Sequence, residues 1–233
     1  MLDFAIFSIT MIGIWSILGI SLHLQFGLTG LVNFGQVMPF AIGAYGVGFA
    51  AIHGLPIWAG AALGACLAPL LGLLVILPAG RLTQDYWALV TLGAGELFRL
   101  TMLNVPDIAG GVEGVSVHRI ADRTMAMLLA LALLATAAMF SWRIGRSPLG
   151  RMLRVLREDE TLGATLGRNP FAFQSLITGI SWTMAALAGV LYAHVVGYLS
   201  PSAFTVADTF LVWTAVVLGL LMEVVDILGG IRQ

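Results

Sequence analysis

The sequence predicts an all-α, polytopic transmembrane bundle of about seven spans. Three observations carry that prediction. Apolar residues fill 59% of the 233 positions and charged residues only 10%, whereas a water-soluble domain needs about 25% charged residues to coat its surface. Seven apolar stretches approach the roughly 20 residues that a helix needs to cross about 30 Å of hydrocarbon. Six of the eleven cations crowd into one break between stretches, the pattern of a loop on the cytoplasmic side.

In chain order the apolar stretches cover residues 4–22, 28–52, 57–79, 87–104, 125–142, 171–196 and 209–228. The first is preceded by Asp3 instead of a basic segment and runs to Leu22 without a small-x-small cleavage site. It is expected to be a spanning helix and not a cleaved signal. The break after it, at 23–27, is weak. The fourth stretch contains Glu96 and Arg99 and is expected to span or to be re-entrant. Loop 143–170 holds Arg143, Arg146, Arg151, Arg154, Arg157 and Arg168 and is expected to be cytoplasmic. Seven spans then place Arg81 and Arg232 on the same side and Arg119 and Arg123 outside, with the N-terminus out and the C-terminus in. The chain reads as a single transmembrane domain over 1–233, with 143–170 as a loop within it.

Composition also excludes function classes. A net charge of -1 offers no electrostatic footprint for nucleic acid. Every cation is arginine, so a GxxxxGK[ST] phosphate loop is impossible. No GxSxG nucleophile elbow and no HExxH zinc motif occurs. The lone Cys66 and four scattered histidines predict no disulfide, no metal site and no cofactor bound by this chain.

Three features remain as candidate functional elements. In the first, Gly27, Gly30 and Gly35 interrupt an apolar stretch that also carries Asn33 and Gln36. Amides at membrane depth must find partners or line water. The segment is either an unwound, pathway-lining helix start or a close-packed contact in which the amides bond a neighbouring helix. In the second, Glu96 and Arg99 stand three apart and can pair on one helix face. Ionisable groups at membrane depth face a bundle interior or a cavity, so the pair is either a polar conduit lining or a structural ion pair. In the third, Pro148 suits a helix start, Leu149, Met152, Leu153 and Leu156 form an apolar stripe, and Arg151, Arg154 and Arg157 recur every third residue. A second short helix is expected at 161–166, ended by Gly167. This loop is either a docking element for a cytoplasmic partner or an interfacial helix on acidic lipid headgroups.

Four stretches carry a resemblance. Gly30-Leu31-Val32-Asn33-Phe34-Gly35-Gln36, followed by Gly43-Ala44-Tyr45, resembles an early signature of branched-chain amino-acid ABC transporter permeases. Asp85-Tyr86-Trp87-Ala88-Leu89-Val90-Thr91-Leu92, then Glu96, Arg99 and Gly110-Gly111, is similar to the LivM branch of that family. Ser147-Pro148-Leu149-Gly150-Arg151, with Arg154, Arg157, Glu158, Glu160, Ala164, Leu166 and Gly167, resembles the family's cytoplasmic coupling loop. Tyr192-Ala193-His194 and Ser200-Pro201 fit its next span and outer turn. The order and spacing match over about 25–219.

The resemblance implies a permease subunit of an importer in the bacterial inner membrane, for branched-chain or related amino acids, urea or amides. Its partners would be a second, homologous permease, two ATP-binding subunits that use the ATP, and an external solute-binding protein, all within membrane lipid. It implies a substrate pathway touching Asn33, Gly35, Gln36, Glu96 and Arg99. It also implies a coupling surface of Arg151, Arg154, Glu160, Ala164 and Gly167. After Val216-Val217-Leu218-Gly219 the sequence departs from the family pattern, and a final span is expected to be missing or altered. The competing expectation is a secondary transporter or channel that uses Glu96 as a proton or ion site.

Overall fold

The computed structural model describes residues 1–77, 84–158 and 169–230. They form an all-α bundle with one small sheet. The α-helices are α1 (Leu2–Thr29), α2 (Val37–Ile52), α3 (Ile57–Ile76), α4 (Gln84–Asn104), α5 (Pro106–Ala109), α6 (Arg123–Arg146), α7 (Pro148–Glu158), α8 (Pro170–Val196) and α9 (Val206–Gly230). Strands β1 (Val115–Ser116) and β2 (Tyr198–Leu199) pair antiparallel, with Val115 opposite Leu199.

Among the described residues, five segments are long and apolar enough to cross a membrane: Asp3–Thr29, Ile57–Ile76, Arg123–Arg146, Pro170–Val196 and Pro201–Leu220. The expected second and fourth spans are absent from this set. α2 has 16 residues, about 24 Å of helix, but it sits inside the bundle with 13 of those residues buried. A helix enclosed by other helices does not need to match the lipid thickness. α4 forms one continuous helix of 21 residues, and Glu96 and Arg99 lower its hydropathy.

Small side chains decide how α2 is enclosed. On α3 the buried residues are Gly60, Gly64, Ala68, Gly72 and Ile76, spaced by four. This stripe lets two backbones approach closely: Gly64 lies against Gly43, and Gly60 against the Gly46 carbonyl. On the opposite side α8 comes equally near. A methyl group at Gly43 would overlap the Ala186 carbonyl, and one at Gly189 would overlap the Phe40 carbonyl. α6 packs outside α1 through Ala126, Ala130, Ala137 and Ile144, leaving Leu128, Met139, Phe140 and Trp142 exposed. Asp122 caps α6 by accepting from the Thr124 and Met125 N–H groups.

The structure corrects one boundary. The break expected at 23–27 is helical, and α1 runs on to Thr29. The chain unwinds at 30–36 instead, within the stretch expected to be one helix over 28–52. Gly30 takes φ 73° and its N–H donates to the Phe26 carbonyl, closing α1 with a left-handed cap. The Asn33 side chain then accepts the Gly35 N–H at 2.8 Å, a local bond that competes with helix formation. Gly27 lacks both devices, and a lone glycine costs a helix only about 1 kcal/mol.

Candidate functional site

The unwound segment frees backbone groups that an apolar surrounding cannot satisfy. Side chains from other helices supply the partners. The Phe34 N–H donates to Thr91 Oγ1 of α4 at 3.1 Å, and the Val37 N–H to Thr209 Oγ1 of α9 at 3.3 Å. Trp213 Nε1 of α9 donates to the Asn33 carbonyl at 2.7 Å. Gly35 has no side chain because the Thr91 carbonyl occupies the place of a Cβ.

Asn33 and Gln36 are both fully buried. Asn33 Nδ2 donates to Gln36 Oε1 at 2.8 Å and to Gln25 Oε1 of α1 at 3.1 Å. Gln36 Nε2 donates to Ser21 Oγ of α1 at 2.8 Å and to Ser181 Oγ of α8 at 3.3 Å. Gln25 Nε2 continues the network to Thr178 Oγ1, and Ser181 Oγ donates to the Ser21 carbonyl. The two amides thus tie the unwound segment to α1 and α8. They make the inter-helix bonds of the packing alternative, and neither lines the pocket beside them.

That pocket lies on the other side of Gly35. Its lining includes Gly35, Tyr45, Glu96, Arg99, Phe204 and Thr209. Three of the five residues expected along a pathway, Gly35, Glu96 and Arg99, therefore converge, while Asn33 and Gln36 stand behind them. Arg99 Nε donates to Glu96 Oε2 at 2.9 Å and Nη2 to Oε1 at 2.5 Å, a two-pronged pair that is half-buried. The Tyr45 hydroxyl is buried and has no hydrogen-bond partner among the described residues. Phe98, Met102 and Phe204 supply apolar wall. The cavity holds about 20 Å³, enough for about one water molecule and too small for an amino acid.

Sequence reasoning gave Tyr45 no role and overlooked Ser21, Gln25, Thr178 and Ser181. Their spacing carried a signal. Ser21 and Gln25 stand four apart, Thr178 and Ser181 three apart, so each pair marks one polar face on an apolar helix.

The loop expected over 143–170 opens with the last turn of α6, which runs on to Arg146, and continues into α7, which folds back tightly on the end of α6. A methyl group at Gly150 would overlap the Ile144 carbonyl, and Leu153 and Leu156 are buried. Its arginines reach helix ends. Arg151 donates to the Arg146 carbonyl at 3.2 Å, Arg154 to the Gly145 carbonyl at 2.7 Å and Arg157 to the Gly27 carbonyl at 2.8 Å. Cations there meet carbonyls that the helix leaves unpaired. Glu160, Ala164, Gly167 and the helix expected at 161–166 lie outside the described residues.

A family model described as "Branched-chain amino acid transport system / permease component" matches residues 4–231. The chain belongs to this permease family. It is a multi-pass membrane protein. Similar proteins include the high-affinity branched-chain amino acid transport system permease protein LivM of Salmonella typhimurium and that of Escherichia coli. Each is 34% identical over 90% of this chain and 57% of its own length. A probable branched-chain amino acid transport permease protein LivM of Methanocaldococcus jannaschii is 27% identical over 89% of this chain and 72% of its own length. This permease-family chain therefore spans a little over half the length of the first two relatives. No solved structure matches it.

Proposed function

We propose that this chain is a transmembrane permease subunit of an ATP-binding-cassette importer for branched-chain or related amino acids, in the bacterial cytoplasmic membrane. The family match over residues 4–231 carries this reading. The relatives' names support the substrate class. In this reading α2 and α4 also cross, making seven spans, and 143–170 faces the cytoplasm. A second, homologous permease completes the path, an external binding protein delivers the solute, and two ATP-binding subunits hydrolyse ATP. The surface carrying Arg151, Arg154, Glu160, Ala164 and Gly167 transmits their motion. Binding of ATP biases two packings of the bundle that lie close in free energy.

The pocket at Gly35 suits a zwitterion with an aliphatic side chain. Glu96 complements an ammonium group, Arg99 a carboxylate, and Phe98, Met102 and Phe204 an apolar chain. At about 20 Å³ it represents a closed state, and admission requires α4 to move away from α2. Asn33 and Gln36 hold the unwound wall of this path in place.

A charge-assisted hydrogen bond contributes about 1.5–3 kcal/mol, roughly one to two orders of magnitude in a rate or affinity. Glu96→Gln and Arg99→Gln are therefore each expected to lower ATP-driven uptake at least tenfold in proteoliposomes, with the same subunits co-purifying. Wild-type uptake by both variants would remove the pair from the path. Uptake that collapses with an uncoupler while ATP is held constant would instead favour a proton- or ion-coupled transporter using Glu96.

Orientation has its own test. With Cys66 replaced, Gly163→Cys is expected to resist an impermeant thiol reagent in intact cells and to label after permeabilisation. Ready labelling from outside would invert the topology.

A further inference from the structure

Two cavities along α1 join end to end. One is a groove of about 740 Å³ between α1 and α9, walled by Met11, Trp15, Gly19 and Ile20 on one side and Val212 and Val216 on the other. The second, about 520 Å³, lies where the ends of α1 and α6 meet α7, and Arg146, Arg154 and Arg157 line it together with Trp142. His23 and Leu220 line both, so the two cavities adjoin, and together they are called the cleft.

Polarity changes sharply along this cleft. The groove is walled mainly by apolar side chains. Among the described residues, the basic end has no carboxylate in its lining. Among the described residues its three arginines form no ion pair. Each guanidinium has five N–H donors, and among the described residues few are used: Arg154 and Arg157 each bond one carbonyl, and Arg146 stacks on the Trp142 ring at 4.3 Å.

The dimensions fit one lipid leaflet. Met11 and His23 stand twelve positions apart, about 18 Å of helix. That is slightly more than half of the roughly 30 Å hydrocarbon thickness. The basic end therefore falls at headgroup depth if the groove holds an acyl chain. A transmembrane helix fits this cleft less well, because its apolar surface would cover three guanidiniums without supplying counter-charge.

We propose that this cleft binds one anionic phospholipid, with an acyl chain between α1 and α9 and the phosphate on Arg146, Arg154 and Arg157. Basic pockets between membrane helices recognise headgroups in this way. The site is separate from the pocket at Gly35 and does not depend on which solute is carried.

The test is native mass spectrometry of the full chain in mild detergent, after exchange into phosphatidylglycerol or phosphatidylcholine of matched acyl chains. Wild type is expected to retain one phosphatidylglycerol per chain, at least tenfold over phosphatidylcholine. Arg146→Gln is the first variant, since its guanidinium bonds no described carbonyl, and Arg146→Gln with Arg154→Gln is the second. The double variant is expected to lose at least four-fifths of that preference. Gly19→Leu projects into the groove and is expected to lower retention of both lipids. Equal retention of the two lipids by wild type would overturn the proposal, as would an unchanged preference in the double variant. An Ala215→Cys chain that cross-links to a partner subunit, in a complex retaining no lipid, would assign the groove to a protein helix and overturn it as well.

Discussion

Gln36→Leu is expected to reduce the amount of folded protein in the membrane and its melting temperature, before any effect on transport per molecule. The leucine removes three hydrogen bonds, one from Asn33 and two to Ser21 and Ser181. Polar contacts between membrane helices contribute about 0.6–2 kcal/mol each, so roughly 2–6 kcal/mol is at stake. All three partners are buried, and no water reaches them to replace the lost amide. The unwound segment would then lose part of its attachment to α1 and α8. Gln36→Glu offers a second measure, because it keeps the acceptor but replaces the donor with a buried charge. Both variants should fall in thermal stability by fluorescence-detected size exclusion. A Gln36→Leu protein with wild-type stability and abolished uptake would mean that Gln36 serves the solute directly.

Gly189→Ala is expected to have the larger structural effect, although it adds one methyl group. That methyl would overlap the Phe40 carbonyl and touch the Ala44 nitrogen, both backbone atoms of α2. A side chain can rotate away from an intruder, but a helix backbone can only translate. Overpacking typically costs about 1–3 kcal/mol when side chains can adjust, and here the whole α2–α8 contact must separate. Gly43 meets the Ala186 carbonyl in the same interface, so a separation that makes room for the methyl also opens that close contact. Folded yield should fall severalfold or more. Gly93→Ala is the control: nothing lies within 4 Å of its Cβ position, and alanine in a helix is favoured over glycine by about 1 kcal/mol. The control should express at or above wild type. Equal yields for Gly189→Ala and Gly93→Ala would mean that α2 and α8 are not held at this distance.

The α3 stripe shows how much of this packing was legible. Gly60, Gly64, Ala68 and Gly72 repeat every fourth residue, and that period alone marks a close-packing helix face. It does not say which helix the face meets. Only the folded chain brings Gly64 to Gly43 and Gly72 to the Trp182 ring. The arginines of α7 show a similar limit. Their three-residue period marks a basic helix face, but the same pattern fits a partner protein, a lipid surface or helix-end carbonyls. The observed bonds to the Gly145 and Gly27 carbonyls use contacts up to 130 positions apart in sequence, beyond the reach of local periodicity.

Composition and apolar run length were sufficient for the all-α membrane class, because the bilayer is a uniform solvent that imposes one requirement on every spanning segment. A helix end marked by local chemistry was legible too, as at Pro148. The tertiary structure decided where the chain unwinds and what that accomplishes. Unwinding at 30–36 is tolerated because Thr91, Thr209 and Trp213 meet the freed backbone groups from α4 and α9. Asn33 and Gln36 face one side of the break and Glu96 and Arg99 the other. An amide three residues from another amide reads identically in both roles. The partner that lies across the bundle determines which role it takes, since each buried polar group must be satisfied by whatever the fold places against it.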